Sequence, residues 1–355
     1  RRMTNDTLIT VFLRGGADGL ALAPPVGDPQ YPRVRPASFV RAADALRLDG
    51  FFALAPELAA LAPLWSEGQL ALVHDVGTSD TTRSHFYAQP LLERGAPDAA
   101  GGWLARFAKA RSSALPALAF GDTLPESLRG GAAATALRAL SDLDPGARVE
   151  RLAAELSALY DRDALLAESA ANTRTALAQL RALDGAPYRP AAGVEWGSDA
   201  FSQQLAQTAR LLKHGARPPV VCLDLHGWDS HVAQAQLLAP LLRQLGAGLA
   251  NFAADLGALF ERTSVVVYTE FGRRVAENSG LGTDHGHGFA LLVLGGGVRG
   301  GVHARWSGLE PDALVGPGDL PGSIDYRAAL APVVERHGVD ARAVFGELAQ
   351  PVLPL

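Results

Sequence analysis

Two apolar, β-branched runs in the last third of the chain each end in charge and pass directly into an Asp/His cluster. Val220-Val221-Cys222-Leu223-Asp224 leads to Gly227-Trp228-Asp229-Ser230-His231, and Val265-Val266-Val267-Tyr268-Thr269-Glu270 leads to Thr283-Asp284-His285-Gly286-His287. A strand buried on both faces reads as a continuous apolar run instead of an alternation, which requires helices on both sides of a mostly parallel sheet. In such sheets the ligand-handling groups lie beyond the carboxyl ends of the strands. The two runs therefore predict an α/β fold and the edge of it that does the chemistry.

Further strand-like runs fit the same plan. Leu8 to Leu13 ends in Arg14-Gly15-Gly16-Ala17-Asp18-Gly19, whose glycines allow a sharp turn and close approach to a ligand. Leu70 to His74 leads to Thr81-Thr82-Arg83-Ser84-His85-Phe86, where Ser/Thr residues ahead of a periodic run mark a helix start at or near Ser84. Ala117 to Phe120 and Leu291 to Leu294 are two more strands, the latter closed by Gly295-Gly296-Gly297. Helical spacing appears around Glu57 to Trp65, over Ala147 to Leu183, from about Asp199 to Lys213, from His231 to Phe260 and over Tyr326 to His337. No repeat or low-complexity linker divides the chain, and Asp184 to Trp196 is the best loop boundary. The expectation is one α/β domain over 1–355, with a helical covering segment at about 146–214.

Composition removes several classes of function. With 48% hydrophobic and 19% charged residues, the 355-residue chain can fill a sizeable core. A net charge of −5, with no Lys/Arg run, gives no footprint for nucleic acid. No apolar stretch is long enough to span a bilayer. The one cysteine, Cys222, lies inside a strand-like run and reads as a small buried hydrophobe. Arg1-Arg2 is followed by Met3-Thr4-Asn5-Asp6 with no small-residue cleavage site, so it does not read as an intact export signal.

The residues gathered at the predicted strand ends form a metal-ligand inventory: Asp18, Asp229, His231, Glu270, Asp284, His285 and His287. Seven mixed carboxylates and imidazoles exceed one tetrahedral site and suit two sites that share a group. They favour a borderline divalent cation, zinc first, with manganese, iron, calcium or magnesium as substitutes, as one or two ions. Each has a plainer role available, Asp18 as a turn former and Asp229 as a helix cap. Ser84 is placed as a nucleophile at a helix start, or simply as that helix's cap. Arg83 beside it can clamp oxyanion oxygens, and His85 is a further ligand or a proton shuttle. Arg273 and Arg274 bind an anion or are solvated.

Six ordered motifs over nearly the whole chain carry a resemblance. Arg-Gly-Gly-Ala-Asp-Gly, Thr-Arg-Ser-His-Phe, Gly-Trp-Asp-Ser-His, Thr-Glu-Phe-Gly-Arg, Thr-Asp-His-Gly-His-Gly and Gly-Gly-Gly-Val-Arg-Gly-Gly resemble the family called domain of unknown function 1501. That family resembles the alkaline phosphatase and sulfatase superfamily, which implies a three-layer sandwich and a periplasmic or secreted location reached by twin-arginine export. The resemblance implies Ser84 as nucleophile, Asp18 as the aspartate after the first strand, Asp229 and His231 as an Asp…His metal pair, and His285 or His287 as the late histidine. Glu270-Phe271 stands where the superfamily has Asp followed by His, which implies one metal or the recruitment of Asp284. Cys222 is followed by Leu223-Asp224-Leu225, so the formylglycine sulfatase signature is absent.

Three functions follow for comparison. The first is a metal-dependent hydrolase of a small or polymer-linked phosphate, sulfate or phosphonate ester, using Ser84 or a metal-activated water. The second is a non-catalytic metal-binding envelope protein that keeps the fold. The third, a metal-free esterase, ranks last because no Gly-x-Ser-x-Gly surrounds Ser84.

Overall fold

The computed structural model describes residues 6–96, 99–111, 113, 115–143 and 187–355. Its strands are β1 (Thr7–Arg14), β2 (Leu46–Arg47), β3 (Ala53–Leu54), β4 (Leu70–Gly77), β5 (Ala117–Phe120) and β6 (Ala134–Leu137). They continue with β7 (Val220–His226), β8 (Thr263–Tyr268), β9 (Phe289–Gly295), β10 (Gly301–Ala304) and β11 (Ile324–Asp325). Nine of these form one sheet in the order β10-β4-β9-β8-β1-β7-β5-β6, with β11 beside β4; β2 and β3 make a separate pair. Every pairing in the large sheet is parallel except those of β9 with β4 and with β8.

The continuous apolar runs are buried on both faces, as their pattern requires. From β1, Ile9, Val11 and Leu13 enter one core with Phe201 and Leu205 of helix Ala200–Lys213 and with Leu238, Leu245 and Leu249 of helix Gln234–Leu256. Leu8 and Phe12 enter the opposite core with Phe107 of helix Trp103–Arg111 and with Leu330 and Val333 of helix Tyr326–Arg336. Cys222 lies in this second core, and burial pushes its thiol up to about 12. The architecture is therefore α/β, a large mostly parallel sheet flanked by helices. Each buried Leu, Val or Phe contributes roughly 1.5–3 kcal/mol.

β9 is the departure from a wholly parallel sheet. It leaves from the edge at which β8 arrives, joined by the loop 269–288, so it must run back. β6 and β10 carried no strong strand pattern because they are half-buried edge strands. The expected helix Ala147 to Leu183, most of the proposed covering segment and Arg1-Arg2 lie outside the described residues. Among the described residues no helix is long and apolar enough to cross a membrane.

Candidate metal centre

Topology brings four loops to one edge. β1, β7 and β8 are parallel, and β4 shares their direction because β9 is antiparallel to both β4 and β8. The loops after β1, β4, β7 and β8 therefore open on the same side. They deliver His85, Asp229 and His285, whose ligand atoms all lie within 4.8 Å of one another. Among the described residues this is the group of three or more His, Cys, Asp or Glu side chains close enough to share a cation.

Asp229 is the hub. Its Oδ1 lies 2.9 Å from His285 Nε2, 3.0 Å from His231 Nε2 and 2.7 Å from Arg273 Nη2. Its Oδ2 lies 3.6 Å from His85 Nε2. The His231 and His285 Nε2 atoms are themselves 3.0 Å apart.

The far side of each ring decides what these nitrogens can do. His285 Nδ1 is 2.7 Å from the Arg83 carbonyl, which can only accept, so Nδ1 carries the proton. His85 Nδ1 is 2.7 Å from Glu270 Oε1, again an acceptor. His231 Nδ1 faces Asp284 Oδ1 at 3.6 Å. In the neutral rings, Nε2 of His85 and His285 is then a bare lone pair aimed at the cluster. His85 Nε2 is buried with no hydrogen-bond partner. Lone pairs converging on a carboxylate require a proton or a cation between them, and imidazoles backed by a carboxylate or carbonyl are the usual setting of a metal-bound histidine.

Glu270 is buried behind His85, one residue removed from the convergence point. Its Oε1 accepts from His85, from Gln89 Nε2 at 2.8 Å and from the Gly15 N–H at 3.0 Å. Burial alone would raise its carboxyl, but the hydrogen bonds from His85 and Gln89 hold it at about 2. The same bond raises the His85 imidazole above its ordinary value. Burial also works against the Asp229 charge, yet the contact with His285 and the hydrogen bond and charge of the Arg273 guanidinium keep that carboxyl below the usual range.

Arg273 is neither a solvated charge nor exposed to an incoming anion. It is 1% exposed and donates to the carbonyls of Gly15, Gly16, Trp228 and Thr283 as well as to Asp229, fastening three loops together. Gly15 and Gly16, with φ of +124° and +65°, make their close approaches to protein rather than to a ligand. A Cβ on Gly15 would stand 2.5 Å from the Asp229 nitrogen, and one on Gly16 would stand 2.5 Å from the Phe271 ring.

Three of the expected ligands lie elsewhere. Asp18 is fully enclosed in a pair with Arg35 (2.5 and 3.1 Å), and Gln234 Nε2 and the Leu20 N–H occupy its remaining acceptor positions. It also caps the short helix Gly19–Leu22. Asp284 accepts from Asn278 Nδ2 at 3.2 Å, pairs with Arg274 at 3.3 Å and faces His231 from behind. His287 is buried against Gly77 and Gly322, and burial lowers its pKa. Asp229 does not cap a helix, since the helix after it begins at Gln234 behind Ala233.

Ser84 holds the N-cap position of helix His85–Arg94, but its side chain makes no capping hydrogen bond. Arg83 pairs with Asp319 through Nε and Nη2, leaving Nη1 outside the pair. Asp319 and Gln89 were not among the sequence candidates. Gln89 was legible, because it lies four residues after His85 and so on the same helix face. Asp319 sits in the irregular segment Gly318-Asp319-Leu320-Pro321-Gly322, which offers no periodic signal.

No curated protein matches the chain. Among solved structures, it is similar to the C-terminal periplasmic domain of EcEptC from Escherichia coli in complex with Zn, at 11% identity, 84% coverage of this chain and 74% of that one, and a TM-score of 0.35. It is similar to a putative sulfatase from Bacteroides thetaiotaomicron VPI-5482 at 9% identity, 99% and 77% coverage, TM-score 0.43. It is also similar to the alkaline phosphatase of the Antarctic bacterium TAB5 at 9% identity, 85% and 95% coverage, TM-score 0.32. These are likenesses of architecture. The family described as "Protein of unknown function (DUF1501)" matches residues 76–326, a span that includes His85, Asp229, Glu270 and His285, and the chain belongs to that family.

Proposed function

We propose that this protein is a metal-dependent hydrolase of phosphate, sulfate or phosphonate esters. The observation that carries the reading is the convergence of the His85 and His285 Nε2 atoms on Asp229, each with its Nδ1 committed to an acceptor behind it. His85, His285 and Asp229 would hold a single divalent cation, zinc first, with His231 as a fourth ligand. The mixed imidazole and carboxylate set, with one buried nitrogen left unpartnered, fits such an ion. When bound, it supplies Lewis acidity towards an ester oxygen and lowers the pKa of a coordinated water or hydroxyl. Asp18, Glu270, Asp284 and His287 are outside this proposed set, because the partners described above already engage or enclose them.

The chain's own residues supply the rest. Glu270 and the Arg83 carbonyl keep the two imidazoles in the tautomer that presents Nε2. Ser84, uncommitted as a cap, offers a hydroxyl beside the positive end of helix His85–Arg94, where an anionic ester is favoured. Arg83 Nη1 would hold an oxyanion oxygen. Phe271 stacks on His85 at 4.8 Å and lies 4.9 Å from the His285 ring, so an apolar ring stands where the superfamily resemblance implies an imidazole. The periplasmic or secreted location rests on the family resemblance and is checked by fractionating cells that make the full-length protein.

The test combines metal analysis with a panel of phosphate, sulfate and phosphonate esters, with and without chelator. One equivalent of metal and chelator-sensitive turnover are expected. Metal without turnover on any ester would instead favour the envelope-protein reading, to which the Glu270-Phe271 substitution points. Turnover that survives metal removal would overturn both.

A further inference from the structure

The segment that delivers Arg83, Ser84 and His85 to the site has little of its own to hold it. Residues 78–84 form neither helix nor strand. Their side-chain hydrogen bonds stay largely inside the segment: Thr78 to the Asp80 carbonyl, Asp80 to the Thr82 N–H, Thr82 to the Ser84 N–H. Among the described residues the exception is Arg83, whose guanidinium is gripped by Asp319.

That grip is not an ordinary surface ion pair. Asp319 is 0% exposed, and its Oδ1 is buried without a hydrogen-bond partner among the described residues. Its charge is therefore compensated chiefly by Arg83. Separating the two would leave a bare carboxylate in the interior, so the pair should persist where an exposed one would exchange with water. Arg83 in turn presents the carbonyl that accepts the hydrogen bond from His285 Nδ1 at 2.7 Å, and His85 follows two residues later on the same backbone.

Resting on the metal reading above, we propose that Asp319 is a positioning residue for the metal centre. Through Arg83 it fixes the carbonyl that orients His285 and the backbone that presents His85, so that both Nε2 atoms face Asp229. Asp319 touches neither metal nor substrate. Its contribution runs in series through Arg83.

The experiment measures zinc affinity by competition with a chromophoric chelator for the wild-type protein, Asp319→Ala, Arg83→Ala and the double variant. Visible spectra of the cobalt-loaded forms report ligand geometry. Each single substitution should weaken zinc binding by about 10–100-fold, the range for outer partners of metal ligands. The double variant should be no weaker than the worse single one, because the two side chains act as one unit. The cobalt bands should shift in all three. Asp319→Asn, which keeps the shape and loses the charge, gives an intermediate loss and stands in if the alanine variant fails to fold. Unchanged affinity and spectra in the folded variants would overturn the inference, as would strictly additive losses. A wild-type protein that binds neither zinc nor cobalt would sink the metal reading itself, and the role of Asp319 with it.

Discussion

Asp18 and Asp229 occupy matching places, each in a loop at the carboxyl end of a central parallel strand, and the structure treats them in opposite ways. Asp18 is surrounded by groups that can only donate: the Arg35 guanidinium, the Gln234 Nε2 amino group and the Leu20 N–H. Its charge is neutralised and its lone pairs are used. Asp229 has one permanent donor, Arg273, and otherwise faces imidazole nitrogens whose protons are held on the far side of the ring. A carboxylate ringed by fixed donors is a closed structural joint. A carboxylate facing lone pairs is open to a cation. The strand-end position is shared; the protonation pattern of the neighbours separates the roles.

The sharpest way to break this comparison is to remove Asp18. Asp18→Ala leaves the Arg35 charge buried without its counter-ion, a change that typically costs about 3–5 kcal/mol. Zinc stoichiometry should stay at the wild-type value. Denaturant unfolding and metal analysis on the same sample check both halves, and loss of metal would mean that Asp18 belongs to the centre after all.

The converse substitution is His285→Ala. Among the described residues its ring has polar contacts with Asp229, His231 and the Arg83 carbonyl, so its loss should weaken zinc by more than about 100-fold. The far-UV spectrum should be unchanged. Asp229→Ala would be less clean, because Asp229 is also the counter-ion of the buried Arg273. An unfolded His285→Ala variant, or one with undiminished affinity, would erase the distinction between joint and open site.

Acid distinguishes the two regions less strongly. Glu270 is held at about 2 against an ordinary 4.5. Its contribution to stability is therefore complete above about pH 4.5 and is lost as pH falls from there towards 2. The Asp18 carboxyl is likewise depressed, by Arg35 and its other donors in spite of burial, and acts in the same direction. The metal-free protein should lose stability through this window, and Glu270→Gln should flatten the decline. An equally steep loss in Glu270→Gln would place the titrating group elsewhere.

Much of the frame was legible in the sequence because burial on both faces leaves a continuous apolar run, as in Val265-Val266-Val267, and no partner information is needed to see it. Asp229, His285 and His85 were legible as residue types at strand ends. The difference between Asp18 and Asp229 was not, because it depends on Arg35, Gln234 and Arg273, brought from 17, 216 and 44 residues away. The antiparallel β9 was hidden for a related reason, since an apolar run reads the same in either direction. Beside Arg274 in sequence, Arg273 reads as surface charge or an anion clamp, but five carbonyl and carboxylate acceptors, four of them from other loops, enclose it instead.

The smallest expected effect, and a useful one, concerns Ser84. A serine at an N-cap usually contributes about 1 kcal/mol through its side-chain bond to the first turn. Ser84 has the extended backbone of a cap, φ −105° and ψ 121°, yet its hydroxyl makes no such bond. Ser84→Ala should therefore change stability by less than about 0.5 kcal/mol, the range of an uninvolved surface substitution. If the hydroxyl is the nucleophile, the same variant should lose chelator-sensitive turnover while keeping its zinc, since none of the three clustered side chains is altered. A thermal melt, a zinc titration and an ester turnover assay on one sample separate the possibilities. A stability loss near 1 kcal/mol with turnover intact would return Ser84 to the closed, structural class alongside Asp18, and leave a metal-bound water as the attacking group in the proposed reaction.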